Sequence, residues 1–203
     1  MMKEKAKQAF AIGLIAVFIG VEYFGVFSVD ALSPYAMYGF ECLFFGTVLA
    51  IYRGLEWKTD DFTLGSIVTV FLSLVCGFAA YEFSSVLGFP IPFAMKEVET
   101  LILLLLVGPI LEELVFRSAL WRLGTELVKA PWFAFLFTSV LFSFAHYQMI
   151  ETAPASYQGF IRYQAVYTLG LGLLAGGVRL HFGLLGAVLI HLAFNFGFFL
   201  GSI

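Results

Sequence analysis

The sequence predicts an all-α fold, a polytopic integral membrane helix bundle of about seven transmembrane helices, and three observations carry that prediction. Of the 203 residues, 61% are apolar and only 12% charged, against roughly 45–50% and 25% in a soluble domain. The apolar residues gather in runs near the roughly 20 residues that cross a hydrocarbon core as a helix. Lysine and arginine also alternate between successive connectors, as a chain threaded back and forth through a bilayer requires.

The first run, 8–28, follows the charged segment MMKEKAKQAF. It has the charge profile of a secretory signal but no clear small-residue cleavage site, and is read as a retained first helix. Further runs lie at 36–52, 63–82, 100–121, 132–149, 161–179 and 183–203. Between them SVDALSP, YRGLEWKTDD, GFPIPFAMKEVE and ETAPASYQG carry turn and charge signals, and GFPIPF suits a segment lying along the interface. No repeat or low-complexity stretch interrupts the pattern, so residues 1–203 are read as a single membrane domain. Nine of the 11 lysines and arginines, from Lys3, Lys5 and Lys7 through Arg53, Lys58, Arg117, Arg122 and Lys129 to Arg179, fall on one side, leaving Lys96 and Arg162 on the other. That bias predicts a cytoplasmic N-terminus and an outside C-terminus.

Composition excludes other classes. A net charge of −3 without a basic tract gives no nucleic-acid footprint. The two cysteines, Cys42 and Cys76, form no metal or disulfide pattern and are expected as small core residues.

The informative stretch is LLLLVGPILEELVFRSALW, 103–121, where two glutamates and an arginine sit in an apolar run. Ionisable groups inside a membrane are costly and are functional by default. Glu113 and Arg117 are four apart, hence on one helix face and able to pair, whereas Glu112 is rotated by about 100° and meets a different neighbour. In LFSFAHYQ, Phe142 and His146 share a face; in LIHLAFNFG, His191 and Asn195 do so. His181 in VRLHFG reads as a solvent-facing loop residue, and Glu22, Glu41 and Glu82 as packing or interface residues. Glu112, His146, His191 and Asn195 therefore converge from three helices in this reading. A carboxylate and an imidazole can hold a water and take its proton, and a second imidazole with a carboxamide can stabilise an oxyanion. The same Glu112, His146 and His191 also make an acceptable first shell for zinc with an open water position.

EELVFR fits EExxxR, FSFAH fits FxxxH, and HLAFN fits HxxxN, in that order, with 29 residues from Arg117 to His146 and 45 from His146 to His191. Together these motifs resemble the CPBP family, the CaaX proteases and bacteriocin-processing enzymes also called Abi, over about residues 100–200. The resemblance implies an intramembrane endopeptidase. It implies that Glu112 and His146 activate the attacking water, that His191 and Asn195 form the oxyanion hole, and that Glu113, Arg117 and Phe142 support them. It leaves both metalloprotease and metal-free glutamate chemistry open. The absence of HExxH and the arrival of each ligand from a separate helix favour no metal cofactor, with zinc as the alternative.

The expected partners are the lipid bilayer and a hydrophobic or lipidated peptide or membrane-protein tail. The resemblance implies a cavity between the late helices opening toward the cytoplasm. Short loops and the lack of an endoplasmic-reticulum retrieval signal suit a prokaryotic plasma membrane. The rival readings are a non-catalytic membrane module, binding a partner or conferring bacteriocin immunity, and a small transporter. Against transport, the polar residues cluster in one half of the chain with no inverted-repeat counterpart.

Overall fold

A computed structural model describes residues 4–24, 34–52, 64–93, 95–151 and 153–203. They form an all-α bundle with no strand among the described residues. Most of SVDALSP and YRGLEWKTDD, with Lys3, Arg53 and Lys58, lies outside them. The helices are α1 (Glu4–Phe24), α2 (Pro34–Tyr52), α3 (Leu64–Val86), α4 (98–128), α5 (Pro131–Tyr147) and α6 (Gln158–Gly201). Four helical stretches, Glu4–Tyr23, Leu64–Val86, Pro131–Ile150 and Ala155–Gly201, are long and apolar enough to cross a membrane. The expected count of seven spans is therefore not established. α2 is shorter, α4 is interrupted and charged, and the last stretch counts once although it folds on itself.

That fold occurs at Gly183, whose φ of 73° and ψ of −173° are open essentially to glycine alone. The arms on either side, 158–182 and 184–201, lie against each other: the Phe160 and Phe198 rings are 6.4 Å apart and those of Tyr167 and Phe194 5.6 Å. His181, expected in a loop, is exposed but belongs to the last helical turn before this reversal.

α4 owes its irregularity to Pro109, which has no N–H and whose ring crowds the preceding turn. The helix widens to a π turn at Leu103–Val107 and again at Leu114–Leu120, directly after the two glutamates. The Gly108 N–H reaches back to the Leu103 carbonyl, and a Cβ at Gly108 would lie 2.9 Å from that same oxygen. α4 ends at Lys129, left-handed with φ 56°, and Pro131 opens α5 at its first turn.

Apolar side chains face outward: Leu43, Leu64 and Val86 are among the most exposed residues, while Ser73, Thr138, Ser139 and Thr168 are buried. This distribution suits lipid outside and close polar packing within. Cys42 and Cys76 correct the expectation of core cysteines, because both are exposed; a small apolar thiol is as compatible with a lipid-facing surface as with a core. Phe18 of α1 ties three helices together, packing on Phe44 at 4.8 Å and edge-on to Phe116 at 5.9 Å. Where α3 crosses the second arm of α6, a Cβ at Gly77 would sit 1.9 Å from the Phe194 carbonyl, and one at Gly197 1.9 Å from that of Leu74. Only glycine permits this approach, which the Ser73 hydroxyl reinforces by donating to the Ile190 carbonyl at 2.8 Å. α3 thereby seats the helix that carries His191 and Asn195.

Candidate active site

Glu112, His146, His191 and Asn195 line one cavity of about 100 Å³, with Tyr38, Gln164, Tyr167 and Thr168 also in its wall. Their common depth follows from α4 continuing to residue 128. Counted from the turn at Ala130, Glu112 lies 18 residues back and His146 16 residues on. At 1.5 Å per residue that is a difference of about 3 Å.

Glu113 and Arg117 are both fully buried, with Oε2 3.4 Å from Nε. That pair is too oblique to count as a hydrogen bond, because both atoms lack a hydrogen-bond partner among the described residues. Arg117 Nη2 donates to the Gly172 carbonyl at 3.0 Å, and the guanidinium lies 4.7 Å from the Phe142 ring centre. A Cβ at Gly172 would press on that guanidinium at 3.3 Å, so the first arm of α6 leaves room for the charge by carrying no side chain there. The Arg117 carbonyl, in the second π turn, accepts from Arg179 Nε, and Arg179 stacks over Trp121 at 4.6 Å.

Glu113 also does something its spacing does not foretell. Its Oε1 accepts from His191 Nδ1 at 2.9 Å, while His191 Nε2 faces Glu112 Oε2 at 3.6 Å. The imidazole is thus held between adjacent glutamates that project from different faces of α4. Phe142, fully buried, fills the space between the two imidazoles, edge-on to His146 at 4.8 Å and to His191 at 5.5 Å. His146 Nδ1 lies 2.9 Å from the Phe142 carbonyl. A carbonyl only accepts, so Nδ1 carries the proton and Nε2 has the free lone pair.

Asn195 Nδ2 donates to the Leu104 carbonyl at 2.8 Å, and Pro109 explains why that carbonyl is available. The π pattern pairs Leu103 with Gly108, so the next acceptor, Leu104, would meet residue 109, which has no N–H. The carboxamide takes the vacated place, and its second N–H remains for the cavity. Sequence reasoning did not single out Gln164 and Thr168, although both are buried polar residues one turn apart on α6. That i, i+4 spacing inside an apolar run is the same signal that marked His191 and Asn195. Glu22 and Glu41, read as packing or interface residues, line a second cavity that reaches Glu112 and His146; Glu82 is exposed.

The cavity lies in the half of the bundle that ends at Phe93, Met149 and Ile203. Lys5, Lys7, Arg122, Lys129 and Arg179 lie toward the opposite end, tied there by Lys129 to Glu4 at 2.8 Å and by Tyr52 hydroxyl to the Lys7 carbonyl at 2.9 Å. A cytoplasmic basic end and a cavity open to the cytoplasm are therefore competing expectations. Among the described residues no three His, Cys, Asp or Glu side chains are grouped to hold a metal ion.

A multi-pass membrane bundle with a carboxylate, two imidazoles and a carboxamide around one interior cavity has the parts an intramembrane hydrolase needs. Residues 94–197, just over half of the chain, match the family described as type II CAAX prenyl endopeptidase, Rce1-like. The chain belongs to that family, within the CPBP proteases, and is an intramembrane endopeptidase. No curated protein and no solved structure matches it.

Proposed function

We propose that the protein hydrolyses a peptide bond in a lipidated or strongly apolar peptide through a water activated by Glu112 and His146. The observation that carries this reading is the meeting of Glu112, His146, His191 and Asn195, from three helices, in one cavity. His146 Nε2 has the lone pair and Glu112 the carboxylate to orient a water and accept its proton. The water oxygen attacks the carbonyl carbon, the developing oxyanion takes hydrogen bonds from Asn195 and His191, and the C–N bond breaks as the proton passes to the leaving nitrogen. His191 Nδ1 is committed to Glu113, so the ring donates toward the oxyanion when Nε2 also carries a proton.

The apolar part of the substrate has a place to lie. The cavity shares Tyr167, Leu171 and Phe194 with a groove of about 440 Å³ between α3 and α6 whose wall includes Cys76, Ala80 and Phe83. Such a groove suits an isoprenoid or another apolar tail running in from the lipid. The basic end of the bundle supports a cytoplasmic N-terminus in a prokaryotic plasma membrane. The scissile bond then meets Glu112 in the outer half of the bundle, not from the cytoplasm. The chemistry is metal-free in this reading; Nδ1 of each imidazole is tied to a protein acceptor, which fixes the ring and leaves Nε2 for the water or the oxyanion.

The test is cleavage of a panel of quenched fluorescent peptides with apolar tails by purified protein, beside Glu112→Ala, with and without a zinc chelator. Activity lost in the mutant and kept in chelator is the expected result. Loss in chelator would replace the free water by a zinc-held one on Glu112, His146 and His191. Cleavage by Glu112→Ala would overturn the assignment.

A further inference from the structure

A second cavity, of about 150 Å³, lies behind Glu112 and His146 and is walled by Glu22 of α1, Glu41 of α2, Phe116 of α4, and Ala145 and Met149. Glu112 and His146, to which the proposed function gives the water, are the residues shared by the two cavities. Glu41 is only 6% exposed. Among the described residues Oε2 of Glu41 and of Glu22 has no hydrogen-bond partner. Leaving a carboxylate oxygen buried and unpaired is costly, and a polar space of this size accommodates several waters. α1 is fixed there by Tyr23, whose hydroxyl donates to the Leu141 carbonyl of α5 at 2.7 Å.

Each turnover consumes one water. Its oxygen bonds to the substrate carbonyl carbon, one proton goes by way of Glu112 to the leaving nitrogen, and the other leaves with the new carboxyl group. An apolar chain filling the first cavity and its groove shuts out water from that side. Resting on the proposed function, we infer that the cavity walled by Glu22 and Glu41 is a water store that feeds Glu112 and His146 from behind the bound substrate.

The test measures kcat and KM on an apolar quenched peptide for Glu41→Leu, Glu41→Gln and the space-filling Ala145→Phe. The first and third are expected to lower kcat about ten-fold or more with KM changed less than about two-fold, and Glu41→Gln to retain most of the rate. Wild-type kcat in both Glu41→Leu and Ala145→Phe, or a loss confined to KM, overturns the inference. A second readout needs no activity: Ala145→Cys in protein carrying Cys42→Ala and Cys76→Ala, reacted in lipid nanodiscs with a small charged methanethiosulfonate. Thiolate forms only where water reaches it, so labelling is expected and its absence overturns the store. If wild type cleaves no peptide, the proposed function falls while this labelling still decides whether the cavity is wet.

Discussion

His191 stands between two adjacent carboxylates, Glu113 at 2.9 Å and Glu112 at 3.6 Å, and substitutions at the buried Glu113–Arg117 pair and at Glu112 are expected to act differently. Arg117→Ala leaves the Glu113 carboxylate buried without its cation, a loss of about 3–5 kcal/mol where a buried pair is broken, and is expected to lower the Tm sharply in thermal unfolding. Glu112→Gln keeps the shape of a cavity-lining side chain whose contact with His191 Nε2, at 3.6 Å, is longer than a hydrogen bond, so a cost below about 1 kcal/mol is expected, with cleavage abolished. The Glu113–Arg117 pair was legible because i, i+4 spacing fixes proximity within one helix. The Glu113–His191 contact was not, because it joins residues 78 apart on different helices. Nothing in local spacing specifies which face of α6 meets which face of α4.

Helices contribute through their irregularities. Pro109 opens the π turn whose spare carbonyl anchors Asn195. Pro109→Ala restores an N–H there, competes with the carboxamide, and is expected to lower kcat about ten-fold or more while the Tm holds or rises. Gly197→Leu forces a side chain into the Leu74 carbonyl and is expected to separate α3 from the second arm of α6, seen as loss of folded protein after extraction in mild detergent. Hydropathy located the apolar runs but not these devices. It ended the fourth run at residue 121, since Arg122, Glu126 and Lys129 raise its polarity, although the hydrogen-bonded helix continues to Val128. Glycines as crossing points were invisible for the same reason, because a glycine in an apolar run carries no signal of what passes over it. The reversal at Gly183 was legible as a break between two runs, and there the glycine is required by its positive φ.

For the whole molecule, Lys5, Lys7, Arg122, Lys129 and Arg179 lie toward one end, and the two cavities that share Glu112 and His146 lie in the other half. Cysteine reporters at Lys129 and Lys96 test the threading that the positive-inside rule predicts. In intact cells an impermeant thiol reagent is expected to label Lys96→Cys and to leave Lys129→Cys untouched until the membrane is opened. The fold class was readable from composition because lipid rewards apolar surface wherever a helix faces it, whereas the roles of Glu22 and Glu41 depended on how α1 and α2 dock against α4 and α5. The central claim is that a water held at Glu112 cleaves the peptide bond. Its most direct measurement is mass spectrometry of the products formed in heavy-oxygen water by wild type and by Glu112→Gln of matched Tm. The account predicts one heavy oxygen at the new C-terminus of the wild-type product and no product from the mutant. Equal product from Glu112→Gln, or a new C-terminus without the heavy oxygen, would contradict it.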